Sequence, residues 1–467
     1  MTESLNTGSH DLPVTDELAA FMRTGWASAA RTGGPDEVSA RPIAPWAAKR
    51  RAALAARFPG ERLVIPSGTL KVRSNDSDYR FRPHSAYSYL TGAGESDDVL
   101  VIEPSGEAVL YVRPRAPRAE GQEFYRDRRY GEFWAGPRPD LAEAAELYQV
   151  ECAHIRDLEL RGPARVLRGV DASVDARVPG GAGDAELESF LSEMRLVKDE
   201  WEVGELQSAV DSTVRGFEDV VRALPQAFGH PRGERYLEGV FGLRSRLEGN
   251  AAGYDSIVAS GSHACVLHWI RNDGALHPGE LLLLDAGVES DTLYTADVTR
   301  TFPLLGRFSS VQRQAYELVY EAQTAAIATL RPGARFRDFH LAAMRVICDG
   351  LRDWGLLTDS TDALMESGLY RRYTLCSSGH MLGLDVHDCA KARSEVYLDG
   401  VLEEGHVLTV EPGLYFQPDD LTLPEELRGI GIRIEDDLVV TAGGARLLSS
   451  GLPRHADEIE SWMASLA

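Results

Sequence analysis

The sequence predicts a chain of two domains, an α/β N-terminal domain followed by a second domain of α/β or α+β character, and three observations lead there. At 467 residues the chain is longer than one ordinary core serves. Strand-like apolar runs alternate with helical periodicity on both sides of a glycine-rich break, VPGGAGD at residues 178–184. The 43% hydrophobic and 26% charged residues give the composition of a folded globular protein.

Residues 1–45 are rich in Ser, Thr, Gly and Pro, with RTGGPDE and ARPIAPW as breakers, and read as an N-terminal arm with one short helix. From Ala47 the stretch AAKRRAALAARF reads as a helix, followed by strands in ERLVIPSG, SYLTG, DDVLVIEP and EAVLYVR. Pro104, Ser105 and Gly106 form a turn between the last two. Ala185 to Leu224 reads as two helices meeting near Lys198, and the domain boundary is placed inside that stretch. The first domain is then residues 46–192 and the second 193–467. Beyond the boundary, helices at 309–330 and 336–353 alternate with strands at 281–287, 293–302, 405–416 and 430–440. No short-period repeat is present, which excludes a solenoid.

The 49 Lys and Arg against 72 Asp and Glu give a formal charge of -23, which repels phosphate backbones and anionic membranes, so neither nucleic acid nor membrane is an expected partner. The opening MTESLNTGSHDLP lacks a basic start and an apolar h-region, and no run has the length of a membrane span. Cys152, Cys265, Cys348, Cys376 and Cys389 are few, odd in number and irregularly spaced, so no disulfide framework is expected and the cytoplasm is the expected location.

The segment LLLLDAGVESDTLYTADVTRTFP carries the most chemistry. An apolar run ends in Asp285, and Asp297 follows twelve residues later on a second strand-like piece, so a hairpin could bring the two carboxylates together. A lone Asp-Ala-Gly reads as a strand-end turn. The later segments overturn that reading. CSSGHMLGLDVHDC supplies His380 and His387, VLTVEPGLYF supplies Glu411, and GIGIRIEDDLVVT supplies Arg433 and Glu435. Glu411 and Glu435 sit among residues that should be buried, and an unpaired buried carboxylate is costly, so each needs a partner or a metal. Asp436 and Asp437 read as a solvated strand end. Two Asp, two Glu and one His suit Mn²⁺, Co²⁺, Fe²⁺ or Zn²⁺ better than Ca²⁺ or a thiolate site. Two such ions can activate a water and clamp a hydrolytic displacement.

The ordered set DAG, DVTRTFP, GHMLGLDVHD, TVEPGLYF and GIGIRIEDD resembles the metal-binding core of the aminopeptidase P and prolidase branch of the pita-bread metallopeptidases. The resemblance implies an α/β creatinase-like N-terminal domain and an α+β pita-bread catalytic domain. It also implies a metallo-aminopeptidase that hydrolyses the bond between an N-terminal residue and a penultimate proline. Asp285, Asp297, His380, Glu411 and Glu435 would hold two divalent ions, expected to be Mn²⁺, with Asp297 and Glu435 bridging. Asp285 would complete one ion's shell, and His380 with Glu411 the other's, while Glu411 would also help to deprotonate the attacking water. His268, in SGSHACVLHWIRND, and His387 match the family's pocket histidines, Tyr415 a pocket tyrosine, and Arg433 an arginine that holds a bridging carboxylate. His263 matches no motif position and reads as a loop residue. Methionine aminopeptidases lack a large N-terminal domain and creatinase-like members have lost metal ligands. SAYSYLTGAGESDDVLVI and FYRDRRYGEFWAGPRPDL look more like aminopeptidase P than prolidase. The partners implied are proline-containing peptides, and the assembly implied is a homodimer or homotetramer.

The chain departs from the family at three places. Cys376 stands where relatives carry a substrate-positioning histidine, Gly379 replaces a hydroxyl residue, and one extra residue lengthens the turn around Glu289 to Thr292. Cys376 reads either as a buried gap-filler or as a pocket thiol beside the metals. Two alternatives therefore stand beside proline-directed cleavage: the same metal site retargeted to a specialised amide or biosynthetic intermediate, or a weakly active or silent member serving as a binding module.

Overall fold

The computed structural model describes residues 5, 7–8, 11–26 and 38–466; RTGGPDE of the arm lies outside them. Within the described part of the arm one short helix, Asp16–Phe21, is capped by Thr15, whose hydroxyl accepts from the Leu18 N–H. The chain divides into two compact units at Leu191 and Ser192.

In the first unit, helix α1 (Ala44–Arg57) starts at Ala44 rather than Ala47, because Pro45 sits in the first turn, where a missing N–H costs nothing. Strands β1 (Leu63–Pro66), β2 (Val99–Ile102), β3 (Ala108–Val112), β4 (Glu151–His154) and β5 (Arg165–Val166) form one mixed sheet in the order β4-β3-β2-β1-β5. The Pro104-Ser105-Gly106 turn closes the β2–β3 hairpin through the bond from Gly106 N–H to the Glu103 carbonyl at 2.8 Å. The expected strand SYLTG is instead the end of a helix, Ser85–Thr91. Its aromatic and β-branched residues favour strands, but His84 caps the N-terminus and Gly92, at φ +68°, terminates it in the left-handed region. All seven helical residues are buried, so the segment has no alternation of exposure to separate helix from strand.

The second unit is built from helices α2 (Glu200–Ala227), α3 (Gly233–Glu248), α4 (Ser310–Ile327) and α5 (Asp338–Asp353) around four small sheets. Helix α2 begins at a capping box formed by Asp199 and Glu202, and buries Leu206, Val210, Phe217, Val220 and Leu224 along one face. Phe217 meets Phe241 of α3 edge to face, with ring centroids 6.2 Å apart. Strands β6 (Ile257–Ser260), β7 (Leu281–Ala286) and β8 (Val298–Pro303) pair antiparallel in the order β8-β7-β6. The register sets Asp285 opposite Thr299 and Ala286 opposite Val298, so the β7–β8 hairpin does bring Asp285 and Asp297 together. Its tip closes through bonds between Ser290 and Tyr294, with Leu293 at φ +72°.

Further strands are β9 (Val407–Val410), β10 (Gly413–Tyr415), β11 (Gly431–Arg433), β12 (Asp436–Thr441) and β13 (Gly444–Leu447). β12 lies between β9 and β13, so its start is interior and the expectation of a solvated end for Asp436 and Asp437 is wrong. Both are fully buried. Asp436 pairs with Arg300 at 2.7 Å, with both side chains sealed from solvent, and Asp437 Oδ2 accepts from the Asp297 N–H at 3.0 Å.

Gly287, inside the hairpin, is required by close approach: a Cβ there would lie 1.6 Å from the Ala296 carbonyl oxygen. Gly287→Ala is expected to lower unfolding free energy by at least about 1–3 kcal/mol, the usual cost of overpacking, read from urea denaturation. Unchanged stability would show that the hairpin yields at this point.

Candidate metal centre

Two interrupted strands create the site. The segments 405–416 and 430–440, expected as continuous strands, each break once, between β9 and β10 and between β11 and β12. The breaks lie side by side, since Val410 pairs with Asp436 and Gly413 with Arg433. Pro412 has no N–H to continue the ladder, and the Glu435 N–H donates to the Thr299 carbonyl of β8 at 3.0 Å. Glu411 and Glu435 thereby line one cavity of about 270 Å³ together with Asp285, Asp297 and His380. That volume suits a peptide end and not a folded chain.

Asp297, His380 and Glu435 present ligand atoms within 4.8 Å of one another. His380 Nε2 lies 3.3 Å from Asp297 Oδ2 and 3.5 Å from Glu411 Oε1, and its Nδ1 is 3.1 Å from the Met381 carbonyl. That carbonyl fixes the proton on Nδ1 and turns Nε2 toward the carboxylates, the usual orientation of a metal-binding imidazole. Arg433 Nη2 holds Asp285 Oδ2 at 2.5 Å, Nη1 donates to the Tyr415 hydroxyl at 2.9 Å and Nε to Thr299 Oγ1 at 3.1 Å. Thr299 Oγ1 in turn donates a hydrogen bond to Glu435 Oε2 at 2.7 Å. The arginine therefore grips Asp285 directly and reaches Glu435 only through Thr299, where the family resemblance puts it on a bridging carboxylate.

The donor set fits divalent cations. Asp285, Asp297 and Glu435 are 7%, 5% and 1% exposed, and with Glu411 they set four carboxylates against the single guanidinium of Arg433. Burial and then the neighbouring carboxylates push Glu435 well above its ordinary range and Glu411 up to about 7. Burial also raises Asp285, against the pull of Arg433. Burial would lower His380, but Asp297 and Glu411 outweigh it and raise the imidazole to about 9, a measure of how strongly these carboxylates favour positive charge at this point. Tyr254 adds a further sign. Its hydroxyl oxygen stands 2.6 Å from Asp285 Oδ1 and 2.5 Å from Asp297 Oδ1, although it carries only one hydrogen to share.

His268, His387, Cys376 and Tyr415 all line the same cavity, so every candidate from the sequence converges on it. His387 stands edge to face on His380 at 4.4 Å between centroids, and burial and then the charge of His380 lower its pKa. Cys376 is exposed at the wall, which corrects the gap-filler reading, and desolvation followed by Glu411 raises its thiol pKa. Gly379 has a steric reason: a Cβ there would meet the Thr409 carbonyl oxygen at 2.1 Å. His263 sits in a short 3-10 turn and stacks on Trp269, outside the residues that line the cavity. Tyr254 and Thr299 went unnoticed in the sequence, because an isolated Tyr before a strand and a Thr within one carry no signal of their own.

Residues 205–442 match Metallopeptidase family M24, and residues 47–162 match the Aminopeptidase P, N-terminal domain. The chain is 57% identical over 466 residues to Xaa-Pro aminopeptidase 1 of Streptomyces coelicolor, covering 97% of this chain and 93% of that protein. Among solved structures it is similar to Pseudomonas aeruginosa aminopeptidase PepP, with a TM-score of 0.80, 32% identity and coverage of 92% of this chain and 99% of the other. It is also similar to zinc-substituted Escherichia coli aminopeptidase P in complex with product, with a TM-score of 0.77, 30% identity and coverage of 90% and 98%. A carboxylate-rich site of this kind on this fold defines a metal-dependent hydrolase. The chain belongs to metallopeptidase family M24, with an aminopeptidase P N-terminal domain ahead of a pita-bread catalytic domain.

A buried ion cluster anchors the segment that carries His387. Asp388 Oδ1 accepts from Arg195 Nε at 3.0 Å and Oδ2 from Lys198 Nζ at 3.0 Å. Burial would raise the pKa of Asp388, but Arg195 and then Lys198 outweigh it and hold it down to about 2, against an ordinary 3.8. A depressed folded pKa stabilises above the unfolded pKa, and that contribution fades as pH falls from about 4 toward about 2. Asp388→Asn is expected to be a few kcal/mol less stable at pH 7, and the gap from wild type should shrink by about 2 kcal/mol between pH 4.5 and pH 2. A pH-independent gap in denaturant midpoints would refute the ion-pair account.

Proposed function

We propose that this chain is a dinuclear Xaa-Pro aminopeptidase, with residues 46–192 as its N-terminal domain and 193–467 as its catalytic domain. One observation carries the reading: five metal-binding side chains and two pocket histidines, drawn from separate segments, line one small cavity. The names of the relatives and the matches at 47–162 and 205–442 support it. Asp285, Asp297, His380, Glu411 and Glu435 would hold the ions, and Mn²⁺ is the pair we assign. Bound there, divalent ions acidify a water and polarise the scissile carbonyl.

The side chains supply the rest. Arg433, Thr299 and Tyr254 keep Asp285, Glu435 and Asp297 aimed into the cavity. The Glu411 carboxylate takes the proton of the attacking water. The leaving nitrogen of proline carries no hydrogen until it is protonated, and His387 faces the cavity to bind at the scissile amide. His268, Tyr415, Ile257, Leu267, Ile270 and Val386 give the cavity apolar and aromatic walls against which a pyrrolidine ring packs. The retained carboxylates and Arg433 speak against a silent binding module.

A homodimer or homotetramer belongs to the same proposal, supported by the exposed Phe21, Phe133 and Trp134 of the N-terminal unit. The cytoplasmic assignment is supported by five free cysteines, and no helix of the described residues is long and apolar enough to cross a membrane.

The test is release of the first residue from an Xaa-Pro-Xaa peptide. Mn²⁺ should support release, a chelator should abolish it, and metal analysis should find two ions per chain. No chelator-sensitive release would sink the proposal. Cys376→His separates this reading from a retargeted site: the rate should change by less than about 10-fold, whereas a rise of about 10²- to 10³-fold, the value of a restored acid/base or oxyanion donor, would favour a different natural substrate.

A further inference from the structure

His268 is carried on the loop between Ser260, the last residue of β6, and Leu281, the first of β7. A buried carboxylate outside the cavity governs that loop. Glu234 stands in the first turn of α3 and is fully buried. Its Oε1 accepts from the Ser260 N–H at 2.8 Å and lies 2.7 Å from His263 Nδ1. Its Oε2 accepts from the Trp269 indole N–H at 2.9 Å and the Gly274 N–H at 2.7 Å. The Glu234 N–H in turn donates to the Gly274 carbonyl at 3.1 Å.

An ionised carboxylate offers about four lone-pair sites, and here each oxygen takes two partners. Ser260 is at one end of the loop and Gly274 toward the other, while His263 and Trp269 bracket His268. The rings of His263 and Trp269 stack with centroids 3.9 Å apart and planes 20° from parallel, so the loop folds over the carboxylate with His268 next to the stacked pair. Asn272 adds a second tether, accepting from the Val258 N–H at 2.9 Å and donating to the Ser256 carbonyl at 2.8 Å. Glu234, His263 and Trp269 are absent from the cavity wall, whereas Leu267, His268 and Ile270 are part of it.

We propose that Glu234 is a positioning residue for His268, holding through four bonds the loop that presents this histidine to the substrate. The inference rests on the proposed peptidase reading, in which His268 faces the peptide. Glutamine is isosteric but not equivalent here. Each Glu234 oxygen already receives a backbone N–H, so an amide NH₂ in either orientation sets donor against donor: facing Trp269 and Gly274 it breaks two bonds, and facing Ser260 it breaks that one while His263 Nδ1 can turn acceptor.

A double-mutant cycle separates positioning from general structural support. kcat/KM on an Xaa-Pro-Xaa peptide with Mn²⁺ is measured for wild type, Glu234→Gln, His268→Ala and the double variant, with metal content read alongside. Glu234→Gln should lower kcat/KM roughly 10- to 100-fold, as misplacement of a positioned group does, with the metal content of wild type. In the His268→Ala background the same change should cost almost nothing further. If Glu234→Gln does not fold, Trp269→Phe removes one donor alone and is carried through the same cycle, with a smaller loss and the same non-additivity expected. Multiplying effects, or wild-type activity in Glu234→Gln, would overturn this inference while leaving the peptidase reading in place. A wild type that releases nothing would overturn both.

Discussion

Mutual repulsion among Asp285, Asp297, Glu411 and Glu435 is the constraint around which the catalytic unit is arranged. Folding brings them into one largely buried cavity with Arg433 as their guanidinium partner, and a protein interior does not tolerate such a concentration of negative charge unaided. The surrounding architecture limits that cost. Two parallel breaks in neighbouring strands release Glu411 and Glu435 from the ladder, while β9, β10, β11 and β12 remain paired on either side. Backbone hydrogen bonding therefore pins the acidic side chains from both directions.

Around this centre the polar groups form a relay. Arg433 reaches Asp285 by one nitrogen, Tyr415 by another and Thr299 by the third, and Thr299 continues to Glu435. The imidazole of His380 is fixed by the Met381 carbonyl behind it. Outside the cavity, Asp388 with Arg195 and Lys198 seats the His387 segment, and Glu234 seats the His268 loop. Both pocket histidines are thus carried on segments tied down by a buried carboxylate. The two carboxylates are satisfied differently: Asp388 by cations, Glu234 by neutral donors and a histidine.

The chemistry was more legible than the framework that holds it. Asp285, Glu411 and Glu435 stood out because an acidic residue amid an apolar run demands an explanation, and their order along the chain resembled one family. The strand breaks at Glu411–Pro412 and Ile434–Glu435 were hidden, since apolar residues on either side merge into one run. Asp436 and Asp437 misled for the converse reason: two adjacent acids look like a surface, and only the central place of β12 reveals that both are interior. Burial on every side made the helix Ser85–Thr91 look like a strand. Glu234 was invisible because its partners are two backbone N–H groups and two side chains scattered over the next forty residues of sequence.

The strand breaks also bear on how such a chain can change over generations. The ladders on both sides of Glu411 and Glu435 do not depend on the acidic side chains, so the scaffold remains whole when one of them is replaced by a neutral residue. Without its ions the chain even gains by the exchange, because a source of internal repulsion disappears. Drift from working enzyme to inert relative therefore runs downhill in folding energy, and only selection for turnover keeps these acids where they are.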